Sequence, residues 1–154
     1  ILDYGCGYGA LHDYLMTRGF PFDYIGFDVS LDMIEKARAR IQRKGATFHA
    51  SPSDLDPADF AMASGVFNVK LGFDAPSWEE YVFNELDRLN SLSQRGFAFN
   101  MLTSYSDPEH MKDNLYYANP GRIFDRCKTR YSRAVALLHD YPLYEFTILV
   151  RKDS

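Results

Sequence analysis

An open α/β sheet, mostly parallel and covered by helices, is the fold class the sequence predicts, and three observations predict it. Short apolar runs bounded by Gly, Pro and Ser alternate with segments of helical period. A glycine-rich turn, Asp3-Tyr4-Gly5-Cys6-Gly7-Tyr8-Gly9, joins the first run to the first helical segment. The last two strand-like runs, Ser132 to His139 and Tyr144 to Arg151, are linked only by Asp140-Tyr141-Pro142-Leu143. A parallel crossover needs a dozen or more residues, so these two runs pair antiparallel.

Taken in order, Ile1 to Tyr4 reads as the end of a first strand, and Ala10 to Arg18 as a helix with Leu11, Tyr14 and Leu15 on its apolar face and Gly19 at its end. Tyr24 to Asp28 is a short buried strand. Ser30 is the N-cap of a second helix, Asp32 suits its first turn, and Met33, Ile34, Ala37 and Ile41 carry an apolar stripe towards Lys44-Gly45. Ala46 to Ala50 and Phe60 to Val66 are the next strands, separated by a loop interrupted by Pro52 and Pro57. Ser77-Trp78-Glu79-Glu80 fits a capping box, with Val82, Leu86 and Leu89 continuing the helical period. Gly96 opens an almost wholly apolar strand, Phe97 to Leu102, as a central parallel strand requires. Asn119-Pro120 supplies an N-cap with proline at the first helical position, for a helix to about Thr129.

The 154 residues, 46% hydrophobic and 16% aromatic, suffice for one domain spanning 1–154. A formal charge of -4 without a basic cluster argues against a nucleic-acid backbone as partner; Lys36, Arg38, Arg40, Arg43 and Lys44 read as a solvated helix face. Cys6 and Cys127 are far apart in sequence and form neither a disulfide framework nor a metal-ligand spacing, so a reducing cytoplasm and no metal are expected. No apolar run reaches the roughly 18 residues of a membrane span. The chain opens inside a strand with no initiator Met, and the expectation is a fragment truncated at its N-terminus.

A strand, an Asp-x-Gly-x-Gly-x-Gly turn and a helix together place backbone amides and a helix N-terminus beside a ligand that approaches bare glycine backbone. Asp28, nineteen residues beyond Gly9 at the end of the second strand, can accept two hydrogen bonds from a ribose diol. Gly5-x-Gly7-x-x-Ala10 also satisfies the dinucleotide fingerprint, which leaves an NAD-dependent oxidoreductase as one reading of the turn. That reading needs a long parallel continuation after Leu102, which the short link at Asp140 to Leu143 denies.

Ile1-Leu2-Asp3-Tyr4-Gly5-Cys6-Gly7-Tyr8-Gly9 resembles the first motif of class I S-adenosylmethionine-dependent methyltransferases. The resemblance implies a Rossmann-like three-layer sandwich, a seven-stranded sheet whose last strand runs antiparallel, and helices ahead of the first strand that would be missing here. It implies that Gly5, Gly7 and Gly9 floor the methionyl and ribose parts of S-adenosyl-L-methionine, that Asp3 orients the turn and reaches the cofactor's amino group, and that Asp28 holds the ribose. Val29 and Met33 would flank the adenine, and Asp54 or Ser53 would receive its amino group. Ser64 and Gly65 match the position under the methionyl group and beside the acceptor. The run Ser64-Gly65-Val66-Phe67-Asn68 lacks the Asn-Pro-Pro-Tyr type signature of enzymes that methylate nucleobase or glutamine nitrogens, which favours a small-molecule acceptor.

In-line methyl transfer gains much of its rate from alignment, and needs a base only where the acceptor must first lose a proton. The long polar-aromatic loop Thr103 to Ala118 reads either as a lid over the acceptor or as a surface loop anchored by tyrosines. Its Tyr105 and His110 are the candidate catalytic side chains. His12 and His139 read as structural, Lys70 as solvated, and Cys6 as chosen for its small size. A module that binds the cofactor without turnover is the remaining alternative.

Overall fold

The computed structural model describes residues 1–152. Seven strands form one sheet in the order β3-β2-β1-β4-β5-β7-β6. They are β1 (Leu2–Tyr4), β2 (Tyr24–Phe27), β3 (Ala46–His49), β4 (Ala58–Ala63), β5 (Ser93–Leu102), β6 (Ala134–Leu138) and β7 (Glu145–Arg151). The first five pair parallel, whereas β7 runs antiparallel to both β5 and β6. The terminal hairpin is therefore as the four-residue link requires. Among the described residues four helices cover the sheet: α1 (Ala10–Arg18), α2 (Leu31–Arg40), α3 (Ala75–Ser91) and α4 (Pro120–Arg130).

Strand alternation divides the interior in two. Leu2, Tyr4, Phe27, Phe97, Phe99, Met101, Phe146 and Ile148 point to one face and pack with Val82, Leu86 and Leu89 of α3 and Ile123 and Cys127 of α4. On the other face, Tyr24 and Phe48 meet Cys6 and Ile34, Ala37 and Ile41 in a smaller cluster. That second layer ends at β1. Beyond it the same face of β4, β5 and β7 carries Phe60, Met62, Ala98 and Leu149, and these line an open groove with no described helix over it.

Several boundaries differ from expectation, each for a local reason. Ile41 is not the last turn of α2: it is extended (φ -110°, ψ 97°) and buries its side chain below the glycine turn while its amide closes the helix onto the Ala37 carbonyl. Ser77 does not cap α3. The helix starts three residues earlier than that cap implies, with proline in its first turn, and Asp74 is the cap, its Oδ1 accepting from the Ser77 amide at 2.8 Å and its Oδ2 from the Ser77 hydroxyl at 2.9 Å. β4 begins at Ala58, paired to Ser93, and ends at Ala63, where Gly65 turns the chain at φ 72°. β5 correspondingly starts at Ser93, directly after α3, with Gly96 inside it. In α1 the expected face of Leu11, Tyr14 and Leu15 is only partly covered, with Tyr14 exposed, and His12 is the buried residue. The turn ending at Gly9 sets the phase of the helix and brings position 12 edge-on to Phe22 and Tyr24.

Candidate active site

The glycine turn is fixed by its own backbone. The Gly5 and Cys6 amides both donate to the Phe27 carbonyl, at 2.7 and 2.8 Å, and the Gly9 amide donates to Cys6 O at 2.9 Å. Gly5, Gly7 and Gly9 lie at φ 86°, 53° and 89°. Asp28 ties the turn to the end of β2: one carboxylate oxygen accepts from the Gly7 amide and the other from the Ser30 amide, both at 2.9 Å. Each oxygen keeps a second lone pair for a ligand.

Asp3 takes another position. It is buried on the α1 and α2 side of β1, where the Tyr24 hydroxyl donates to it at 2.5 Å. Burial raises its carboxyl to about 6, the Tyr24 hydrogen bond opposes that rise, and the nearby Asp28 charge adds to it.

A cavity of about 500 Å³ opens at the carboxyl ends of β1, β2 and β4, the place where open α/β sheets bind ligands. Its wall gathers Gly5, Asp28, Val29, Ser64 and Gly65 from the residues singled out in the sequence. The others stand off it. Asp3 lies behind the sheet and Gly7 is turned onto Asp28. Gly9 packs towards Ile41 and Phe48, and Met33 lies in the first turn of α2, its amide donating to the Ser30 cap oxygen. Ser53 and Asp54 occupy an exposed 3-10 turn, Pro52–Asp54, where the Ser53 hydroxyl shares a hydrogen bond with Ser51 and donates to Asp54. The loop after β3 gives the cavity Pro52 instead.

The opposite wall was not anticipated from the sequence. Tyr81, Glu85 and Arg88 of α3 face the cavity together with Tyr4 and Phe27. Glu85 is only 7% exposed. It accepts a hydrogen bond from the Tyr4 hydroxyl, and Arg88 Nη1 lies 3.5 Å from its other oxygen and 3.3 Å from the tyrosine oxygen. Burial and the adjacent carboxylate together hold the Tyr4 hydroxyl in its protonated form. The available signal was an acidic residue set in the apolar stripe of α3, with Tyr81 and Arg88 one turn to either side of it.

Towards β5, Asn100 accepts from the Gly65 amide at 2.7 Å and donates to Glu145 at 3.0 Å. Ser64, Phe99, Asn100 and Thr147 line a second hollow of about 150 Å³. The loop from Thr103 to Ala118 is anchored. Lys70 and Tyr116 amides donate to the carbonyls of Asn114 and Asn68, Tyr116 donates to Glu79, and the Tyr117 hydroxyl accepts from the Lys112 amide. Tyr105, 74% exposed, and His110, exposed against the Tyr144 ring, lie on the outer side of this loop and on neither wall. The structure does not bring these two candidate catalytic side chains to the cavity. Asp107, Glu109 and His110 converge on the same exposed turn, where Asp107 accepts from the Tyr144 hydroxyl. No described helix is long and apolar enough to cross a membrane.

A family model for the methyltransferase domain matches residues 1–91. The chain is 55% identical to Rv1506c of Mycobacterium tuberculosis, a protein named as a candidate methyltransferase, over all of this chain and 93% of that one. Among solved structures, magnesium protoporphyrin IX methyltransferase from Synechocystis PCC 6803 with bound SAH superposes with a TM-score of 0.67 at 16% identity, covering 98% of this chain and 73% of that one. The methyltransferase domain of bacterial CtHen1-C superposes with a TM-score of 0.66 at 17% identity, covering 99% of this chain and 89% of that one. At such identities the likeness is one of fold: the Rossmann-like sheet with its antiparallel end.

Proposed function

We propose, from the premise that the chain belongs to the S-adenosylmethionine-dependent methyltransferase family, that it methylates a small-molecule acceptor held between β4 and β5. The observation that carries this reading is Ser64, which stands on the wall of both hollows. The larger lies towards Asp28 and the smaller towards Asn100 and Thr147. A donor on one side of that residue and an acceptor on the other can be held in line. The cofactor suits the larger cavity, because Gly5, turned at φ 86°, lines it together with Asp28 and Gly65. When bound, S-adenosylmethionine supplies a sulfonium-activated methyl group. The protein's part is to orient it, with Asp28 accepting from the ribose hydroxyls, Val29 against the adenine, and Ser64 and Gly65 beneath the methionyl chain.

A small acceptor is supported by the size of the second hollow and by its uncharged polar groups, the Asn100 amide and the Thr147 hydroxyl. The formal charge of -4 argues in the same direction, since a nucleic-acid substrate calls for clustered cations. Among the described residues no imidazole or carboxylate lines that hollow, which suits an acceptor nucleophilic without a protein base.

Calorimetry should show S-adenosylhomocysteine binding at micromolar Kd, weakened by about tenfold or more in Asp28→Ala through loss of hydrogen bonds to a charged group. Equal or absent binding in both proteins defeats the donor-site assignment. Transfer of labelled methyl should then be sought with hydroxyl, amine and carboxylate compounds alongside RNA. Label on RNA alone overturns the small-molecule half of the proposal, and tight binding with no transfer to anything identifies a module without turnover.

A further inference from the structure

We infer that Glu85 and Arg88 of α3 read the adenine edge of the cofactor, a task for which the sequence points instead to the loop after β3. The inference rests on the donor-site reading above and adds a specificity-determining pair to it.

The loop after β3 presents Pro52 to the cavity, and a proline side chain neither donates nor accepts. Ser53 and Asp54 are engaged with each other and with Ser51 outside it. Two carboxylates stand on the cavity wall, Asp28 and Glu85. Asp28 is held at the end of β2 by two backbone amides, in the position suited to a ribose diol. Glu85 is left for the base.

Its setting matches that ligand. Tyr81 and Pro52 give the cavity apolar surface against which a purine can lie, and Tyr4 and Phe27, nearly buried and packed on each other, form its floor. Tyr4 donates to one oxygen of Glu85 and so fixes the carboxylate plane. Arg88 stands on the same wall, its Nη1 3.5 Å from the other oxygen and 3.3 Å from the Tyr4 hydroxyl oxygen, with its side chain 43% exposed. An acceptor and a donor thus stand side by side. The Watson–Crick edge of adenine is their complement: the exocyclic amine donates to Glu85 and ring N1 accepts from Arg88. A 6-oxo purine reverses both groups and would set a carbonyl oxygen against a desolvated carboxylate, which a polar site of this kind rejects strongly.

Titration of the 154-residue chain with S-adenosylhomocysteine and with S-inosylhomocysteine tests the pairing. The wild type should prefer the adenosine compound by about tenfold or more. In Glu85→Gln, whose amide can turn its NH2 towards the 6-oxo group, the preference should shrink to within about threefold, chiefly by tighter binding of the inosine compound. Arg88→Met should abolish the wild type's preference for S-adenosylhomocysteine over its 1-deaza analogue. This second variant keeps the test open if Glu85→Gln no longer melts cooperatively. Unchanged discrimination in the variants, with S-adenosylhomocysteine still bound, overturns this assignment alone. Failure of the wild type to bind S-adenosylhomocysteine at all overturns it together with the donor-site reading.

Discussion

Asp3 and Asp28 flank one glycine turn, and their partners separate their roles. Asp28 receives two backbone amides at the cavity, whereas Asp3 receives a tyrosine hydroxyl in a buried layer. Because burial raises the folded Asp3 carboxyl from 3.8 to about 6, the unfolded chain gives up that proton first. Folding is therefore favoured while the group stays protonated, and stability falls as pH rises from 3.8 to about 6. The loss amounts to about 3 kcal/mol at most, from a shift of about two units. Asp3→Asn keeps an acceptor for Tyr24 and removes the charge. It should flatten urea stability across that window and exceed the wild type at pH 7; parallel curves for the two proteins would refute this. The turn glycines also divide. An alanine at Gly9 meets Ile41 Cδ1 at 2.4 Å besides adopting a left-handed backbone, whereas one at Gly7 meets nothing within 4 Å. Gly7→Ala should cost about 1–2 kcal/mol of backbone strain in a denaturant titration, and Gly9→Ala about 1–3 kcal/mol more. Equal costs would mean that Ile41 yields.

At the scale of the element, α3 shows what sequence order conveys and what it conceals. The caps at Ser30 and Asn119 are legible because cap, first turn and apolar stripe are contiguous in sequence. The start of α3 is not, because two overlapping signals compete: Ser77 has an acidic residue three positions on, while Asp74 has proline behind it and bonds to both the amide and the hydroxyl of Ser77. Asp74→Ala should lower the melting temperature by a few degrees, and Ser77→Ala by less, since the Ser77 amide keeps its partner; the reverse order would restore Ser77 as cap. The capping carboxylate is held below its ordinary pKa by the Ser77 hydrogen bonds. Its contribution is therefore complete above 3.8 and lost as pH falls through the lowered folded value, the opposite sense to Asp3. The same helix hides half of the cavity. Glu85 meets Tyr4 across 81 positions of sequence, so its apolar-stripe position is readable while its partner is not. The glycine turn and Asp28, by contrast, form a local strand-turn-helix signal, and the phase of α1 was misread because the turn itself sets it.

Across the whole molecule, one sheet separates two cores of unequal size, and each contains one buried thiol: Cys6 with Tyr24, Ile34 and Phe48, and Cys127 with Leu86, Phe97 and Ile123. Burial pushes both thiols up to about 12, so neither reacts while the fold is closed. Reaction then reports opening. The Cys6 layer rests on the shorter helices α1 and α2, and α1 buries a single residue, His12, so this layer releases less apolar area when it detaches. The Cys127 layer is clamped by α3 and α4, whose surfaces are joined through Asp87 to Arg126 and Arg130. Local opening should therefore expose Cys6 well below the free energy of global unfolding, whereas Cys127 should need the whole sheet to come apart. With Cys127→Ala and Cys6→Ala leaving one thiol each, labelling by a disulfide reagent in mild urea should be faster at Cys6 and depend weakly on denaturant. Labelling of Cys127 should rise with the full denaturant slope of global unfolding. Equal protection and equal slopes at the two sites would show instead that both layers open as one cooperative unit, and that the sheet transmits the stability of its larger core to the glycine turn.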